Sequence, residues 1–85
     1  MSKYEKAKDR ILQRPKDYTY TEAKYLLGKL GFEERNKGKT SGSRVCFLRE
    51  RDKAVILLHK PHPDDVMDRG AVSDLVDYLQ NIGEL

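Results

Sequence analysis

The sequence predicts an α+β domain: a three-stranded antiparallel sheet with two helices on one face, preceded by a short N-terminal helix. Two observations carry most of this. Ala23, Leu26, Leu27 and Leu30, and later Val72, Leu75, Val76, Leu79 and Ile82, recur at helical spacing and define two buried stripes. Between them lie three short strand-like segments, separated by a glycine-rich loop and a tight turn. The chain has 85 residues, which suits one domain with a modest core. Residues 1–18 read as an N-terminal helical extension, and residues 19–85 as an α-β-β-β-α domain.

Taken in order, Ser2 can cap a first helix, with Glu5 at capping-box spacing. Tyr4, Ala7, Ile11 and Leu12 form a thin apolar stripe, and Arg14-Pro15 ends it, because a residue before proline avoids helical backbone. Thr19 and Glu22 have the spacing of a capping box that opens a helix over 20–30. Gly28 inside that helix suggests a close contact, and Gly31 followed by Phe32 is a helix stop. Strands are expected over 32–36, 43–50 and 54–58. In the second, Val45 and Phe47 share one side, and Arg44, Cys46 and Leu48 the other. The unbroken apolar run Ala54 to Leu58 suggests a strand buried on both faces, or one central in the sheet. Asp68 is the expected N-cap of the last helix and Gly83 its terminator. With both strong helices on one sheet face, the face bearing Arg44 is left to a partner.

The charge is unevenly placed. Formal net charge is +3, yet residues 35–49 hold Arg35, Lys37, Lys39, Arg44 and Arg49 with no acidic residue among them. A glycine-rich basic loop joined to a strand suits phosphate contact, because Lys and Arg follow a backbone while Gly38 and Gly42 allow close approach. A solvated hairpin with ordinary surface charge is the plain alternative. Gly38-Lys39-Thr40 is not a phosphate-binding P-loop: position 33 is glutamate where that motif needs glycine, and a strand follows instead of a helix. The five tyrosines are scattered over helices and caps, which favours packing over base stacking.

His59 and His62 are the two histidines. Their spacing, with Asp64 or Asp65 nearby, invites a metal reading, but two prolines interrupt the segment and no third strong ligand stands at a set spacing. No metal and no cofactor is expected. The single Cys46 reads as a small strand residue in a reducing compartment, so a cytoplasmic protein is expected. The longest apolar run is far too short to span a membrane.

These residues resemble a family. A leucine-rich helix ending Leu30-Gly31-Phe32, a strand start Gly42-Ser43 leading to Phe47, and His62, Met67 and Gly70 at matching spacings are similar to the HicA (YcfA-like) toxins. The resemblance covers residues 19–83. It implies a double-stranded-RNA-binding-like fold and an mRNA interferase, an endoribonuclease of a type II toxin–antitoxin system, with RNA as substrate and a HicB-like antitoxin as protein partner.

One departure bears on the chemistry. The family's catalytic histidine follows the Gly-Ser pair, and Arg44 stands there in this chain. A histidine near neutrality exchanges protons with a 2′-hydroxyl or a leaving oxygen. Arginine stays protonated, but it binds phosphate and stabilises charge developing on it. RNA binding therefore survives the replacement more readily than cleavage. The expected RNA contacts are Arg44, with Lys37, Lys39 and Arg49 as electrostatic support and Ser43 at the strand start. His62 is the candidate proton carrier for a metal-independent ribonuclease. A non-catalytic RNA-binding module and a protein-interaction domain docking a HicB-like partner are the alternatives.

Overall fold

The computed structural model describes residues 3–35, 44–61 and 64–85. Its elements are α1 (Lys3–Leu12), α2 (Tyr20–Lys29), β1 (Glu33–Arg35), β2 (Arg44–Arg49), β3 (Ala54–His59) and α3 (Arg69–Asn81). The strands form one antiparallel sheet in the order β1-β2-β3. Val45 and Phe47 from β2 and Ile56 and Leu58 from β3 are buried in a single core with Leu26, Leu27, Val72, Val76 and Leu79. The helices therefore cover one sheet face. The described residues form an α+β fold with an open three-stranded sheet.

Local chemistry sets the helix ends. Thr19 Oγ1 accepts from the Glu22 N–H and the Glu22 carboxylate accepts from the Thr19 N–H, a complete capping box. Gly31, at φ +95, closes α2: its N–H donates to Gly28 O, and the Phe32 N–H donates to Leu27 O. These are the two bonds of a Schellman stop, and they need a left-handed residue at Gly31. Gly83, at φ +82, ends α3 the same way, with the Gly83 N–H on Gln80 O and the Glu84 N–H on Leu79 O. Asp68 caps α3 by accepting from the Gly70 N–H. The expected close contact at Gly28 is absent, since a Cβ there meets nothing within 4 Å. The expected Ser2 cap lies outside the described residues.

The stretches leading into α2 and α3 are joined to each other. Thr19 and Val66 form an antiparallel bridge, the Tyr20 N–H donates to Asp65 O at 2.7 Å, and the Met67 N–H donates to Tyr18 O at 2.8 Å. This fixes where both helices begin over the sheet. The N-terminal extension belongs to the same core: Ala7, Ile11 and Tyr18 are buried in it, and the Tyr18 hydroxyl donates to Ala7 O. Arg10 bridges Asp17 and Glu22, while Arg14, at φ 50, donates to Asp77 on α3. Residues 1–18 and 19–85 thus share one packing unit where they are described.

Two expectations about the sheet need correction. β3 is an edge strand, not a central one, and it is not buried on both faces: Val55 is 46% exposed and Leu57 59% exposed. An apolar run carries no alternation that marks its outer side, so sequence pattern alone cannot place it. Arg49 is the second. It points to the helix side with Val45 and Phe47, and is 3% exposed.

Glu22 links a stability prediction to pH. The Arg10 guanidinium, and then the Thr19 N–H and hydroxyl, hold its carboxyl below the usual range. Asp52 is held low in the same way, first by Arg49. A carboxylate lowered on folding stabilises the protein above its unfolded pKa, and that contribution is lost as pH falls through the folded value. Melting temperature should therefore stay level from neutrality down to about pH 5 and drop below about pH 4. Glu22→Gln should lower the neutral-pH melting temperature and shrink the acid drop; thermal scans across pH check both.

Candidate nucleic-acid interface

The helix-free face of the sheet is built by strand alternation. In β2, Arg44, Cys46 and Leu48 point outward, because Val45, Phe47 and Arg49 point to the core. Register then sets their neighbours. Arg44 pairs with His59, Cys46 with Leu57 and Arg35, and Leu48 with Val55 and Glu33. Directly paired residues share a face, with Cβ atoms about 4.5–5.5 Å apart.

The face therefore has a chemical order along the strands. At one end Arg44 and His59 stand side by side, both exposed. In the middle lies an apolar strip of Cys46, Leu48, Val55 and Leu57. Arg35, opposite Cys46, reaches toward the far end, where Glu33 holds it at 2.8 Å and Glu50, which also takes Lys53, lies 3.6 Å away. The Arg44 side chain forms no hydrogen bond or ion pair with another described residue. Among the described residues its guanidinium is thus an unengaged cation of this face, beside an imidazole.

Sequence reasoning placed Arg44 on the open face, and the register puts it there. It did not join Arg44 to His59. The signal was present in the hairpin, whose strands pair outward from the turn Glu50–Lys53. A turn one residue shorter shifts the register and removes the pairing, so the exact turn length had to be known. Lys37, Lys39, Ser43 and His62 lie outside the described residues.

Arg49 is not part of this face, which corrects its assignment to RNA contact. Its guanidinium donates to Asp52 at 2.8 and 3.0 Å, to Glu84 at 2.7 Å and to Leu30 O at 3.1 Å, and stacks 4.8 Å from the Phe32 ring centre. The hydrogen bonds it donates to Asp52, then to Glu84, raise its pKa further above the ordinary arginine value. The residue-type count in 35–49 was right, but period-two alternation turns this cation inward.

The metal reading also meets other uses for its carboxylates. Asp64 accepts from the Val66 N–H, and Asp65 from the Thr21 N–H at the start of α2. No group of three or more His, Cys, Asp or Glu placed to hold a metal occurs among the described residues. Among them, no helix is long and apolar enough to cross a membrane. Comparison of the chain with protein-family models, with curated proteins and with solved structures returns no match.

Removing the Arg49 side chain should leave a buried Leu30 carbonyl without its donor and Asp52 without its ion-pair partner, while Glu84 keeps only the exposed Arg51 at 3.2 Å. Arg49→Ala is expected to cost about 3 kcal/mol of stability. Urea denaturation measures this. Loss of RNA affinity in the folded variant would contradict the inward placement.

Proposed function

We propose that this protein binds RNA on its helix-free sheet face and cleaves it without a metal, in the manner of the HicA-like toxins. The observation that carries the reading is the cross-strand pairing of Arg44 with His59 on that face. It supplies, from two strands, what the family's single histidine position does not supply here. Arg44 offers a fixed positive charge and a planar fork of donors suited to a phosphodiester. His59 offers an imidazole, a side chain able to take up and give back a proton, within a side chain's reach of that phosphate.

The chemistry follows from these two roles. His59 accepts the proton of the RNA 2′-hydroxyl as its oxygen attacks phosphorus. The O2′–P bond forms and the P–O5′ bond breaks. The leaving oxygen takes a proton from water or from a second donor, for which His62 is the candidate. Products are a 2′,3′-cyclic phosphate and a 5′-hydroxyl end. Arg44 stabilises the charge that grows on the non-bridging oxygens.

A second reading has its own observation. Val55 and Leu57 are large apolar side chains left exposed beside Arg44 and His59. An apolar centre with a charged rim suits a protein surface, so a HicB-like partner on this same face is the alternative. It predicts a binding surface without requiring cleavage.

Purified protein incubated with end-labelled RNA, with and without EDTA, separates these readings. Arg44→Ala should weaken RNA binding and reduce its salt dependence, because one phosphate contact is lost. His59→Ala should retain binding and lose cleavage by at least about 100-fold. Cleavage at the wild-type rate in His59→Ala removes His59 from the chemistry. RNA binding unchanged in Arg44→Ala argues against this face, and neither binding nor cleavage leaves the protein-partner reading.

A further inference from the structure

The helical side of the molecule carries a second concentration of positive charge, and it is not the one the sheet presents. Lys3 on α1 and Lys29 on α2 hold their ammonium groups over the same ring, 5.4 and 5.6 Å from the centre of Tyr25. Beside that ring runs a groove of about 350 Å³ between α1 and α2, lined by Lys3, Lys6, Ala7, Thr21 and Tyr25 and closed by the Arg10–Glu22 pair. Glu22 is the carboxylate of this lining, and it is already taken by Arg10 and by the Thr19 N–H. Lys3, Lys6 and Lys29 have no carboxylate partner among the described residues. The groove is therefore left with unneutralised cations. The Tyr25 ring attracts both ammonium groups to one place without supplying a counter-charge.

This surface is remote from Arg44 and His59. A neighbouring hollow joins Tyr25 and Lys29 to Arg51, in the turn of the β2–β3 hairpin, and to Glu84, a carboxylate already taken by Arg49 and Arg51. Arg44 starts β2 at the opposite end of that hairpin, and β2 alone is roughly 17 Å long.

We propose that the α1–α2 groove is a second anion-binding site, which takes phosphate groups of a nucleic-acid backbone through Lys3, Lys6 and Lys29. Point charges on flexible stems track a phosphodiester chain without reading its bases. A protein ligand is the weaker fit. Docked proteins are anchored by large apolar or aromatic side chains in a dry centre. Around this groove the described residues expose no large aliphatic side chain, and the Tyr25 ring is covered by lysines. The site does not depend on the sheet-face reading and stands if that face proves to bind protein.

The test uses the full chain and a single-stranded 2′-O-methyl RNA of about twelve nucleotides, which resists cleavage through the 2′-hydroxyl. Amide NMR spectra should show shifts in α1 and along α2 as far as Lys29 on titration. The double variant Lys3→Ala/Lys29→Ala changes exposed side chains and should keep a native spectrum. It should bind the RNA roughly tenfold more weakly, and its log–log salt slope should fall by about 1.4, the value for two lost phosphate contacts on a single strand. Arg44→Ala should leave the α1–α2 shifts in place. Inorganic phosphate at matched ionic strength is the second probe: the same shifts with phosphate alone support phosphate recognition with a free ion as one source, and shifts with RNA alone support the backbone. Shifts confined to β2 and β3, or unchanged affinity and slope in the double variant, overturn the proposal.

Discussion

Arg49 occupies a position that strand alternation reserves for an apolar residue, and much of the structure is arranged to make that tolerable. Burying a guanidinium is costly unless its charge and its donors are matched. Here the match comes from three separate regions: Asp52 in the hairpin turn, Glu84 after α3, and the Leu30 carbonyl at the end of α2. The side chain thereby connects the hairpin, the end of the second helix and the C-terminal turn. Gly31 takes part too. A Cβ at that position would meet Arg49 Cδ at 3.3 Å, so the residue that stops α2 also leaves room for the arginine. Left-handed backbone and close approach are two independent reasons for glycine at one place.

The consequence is a sheet with unlike faces. The inner face is filled by Val45, Phe47, Ile56 and Leu58 and closed at one end by the Arg49 network. Even Glu34, on the short β1 edge, reaches Lys24 of α2 at 3.0 Å. The outer face lacks that cover. Among the described residues its charges are paired around Glu33, Arg35 and Glu50 and unpaired at Arg44. A cation left unengaged on an open face is ready to meet an anion without first breaking an internal ion pair.

How far this could be read from the sequence depends on the range of the interactions. Thr19 with Glu22, Gly31 with Phe32, Asp68 and Gly83 act within a few residues, and their expected roles match the structure. The apolar stripes of α2 and α3 were equally local. Three features were not. The run Ala54–Leu58 reads the same at an edge as at a centre, and only strand order decides. Arg49 was counted with its basic neighbours because composition ignores alternation, although the assignment of Val45 and Phe47 inward already implied that position 49 faces inward too. His59 gained its partner from a register that rests on the length of one turn. Each miss involves a residue whose meaning is set by a neighbour distant in sequence or by the parity of a strand.

The two readings of the sheet face compete for the same area. Leu57 and His59 are two residues apart on one side of β3, so they are neighbours separated by about 7 Å. A protein that buries Val55 and Leu57 has its rim over Arg44 and His59, because the standard contact of one partner, about 800 Å², is larger than the apolar strip. An RNA phosphate at Arg44 has the reverse effect and places a charge beside the strip. In the proposed reading, occupancy by one partner therefore opposes the other by overlap alone, and no conformational change is needed. The helical groove lies outside this overlap. A phosphate-binding site there can hold nucleic acid while a protein covers the sheet, which separates the contribution of long-range charge from that of the Arg44–His59 pair.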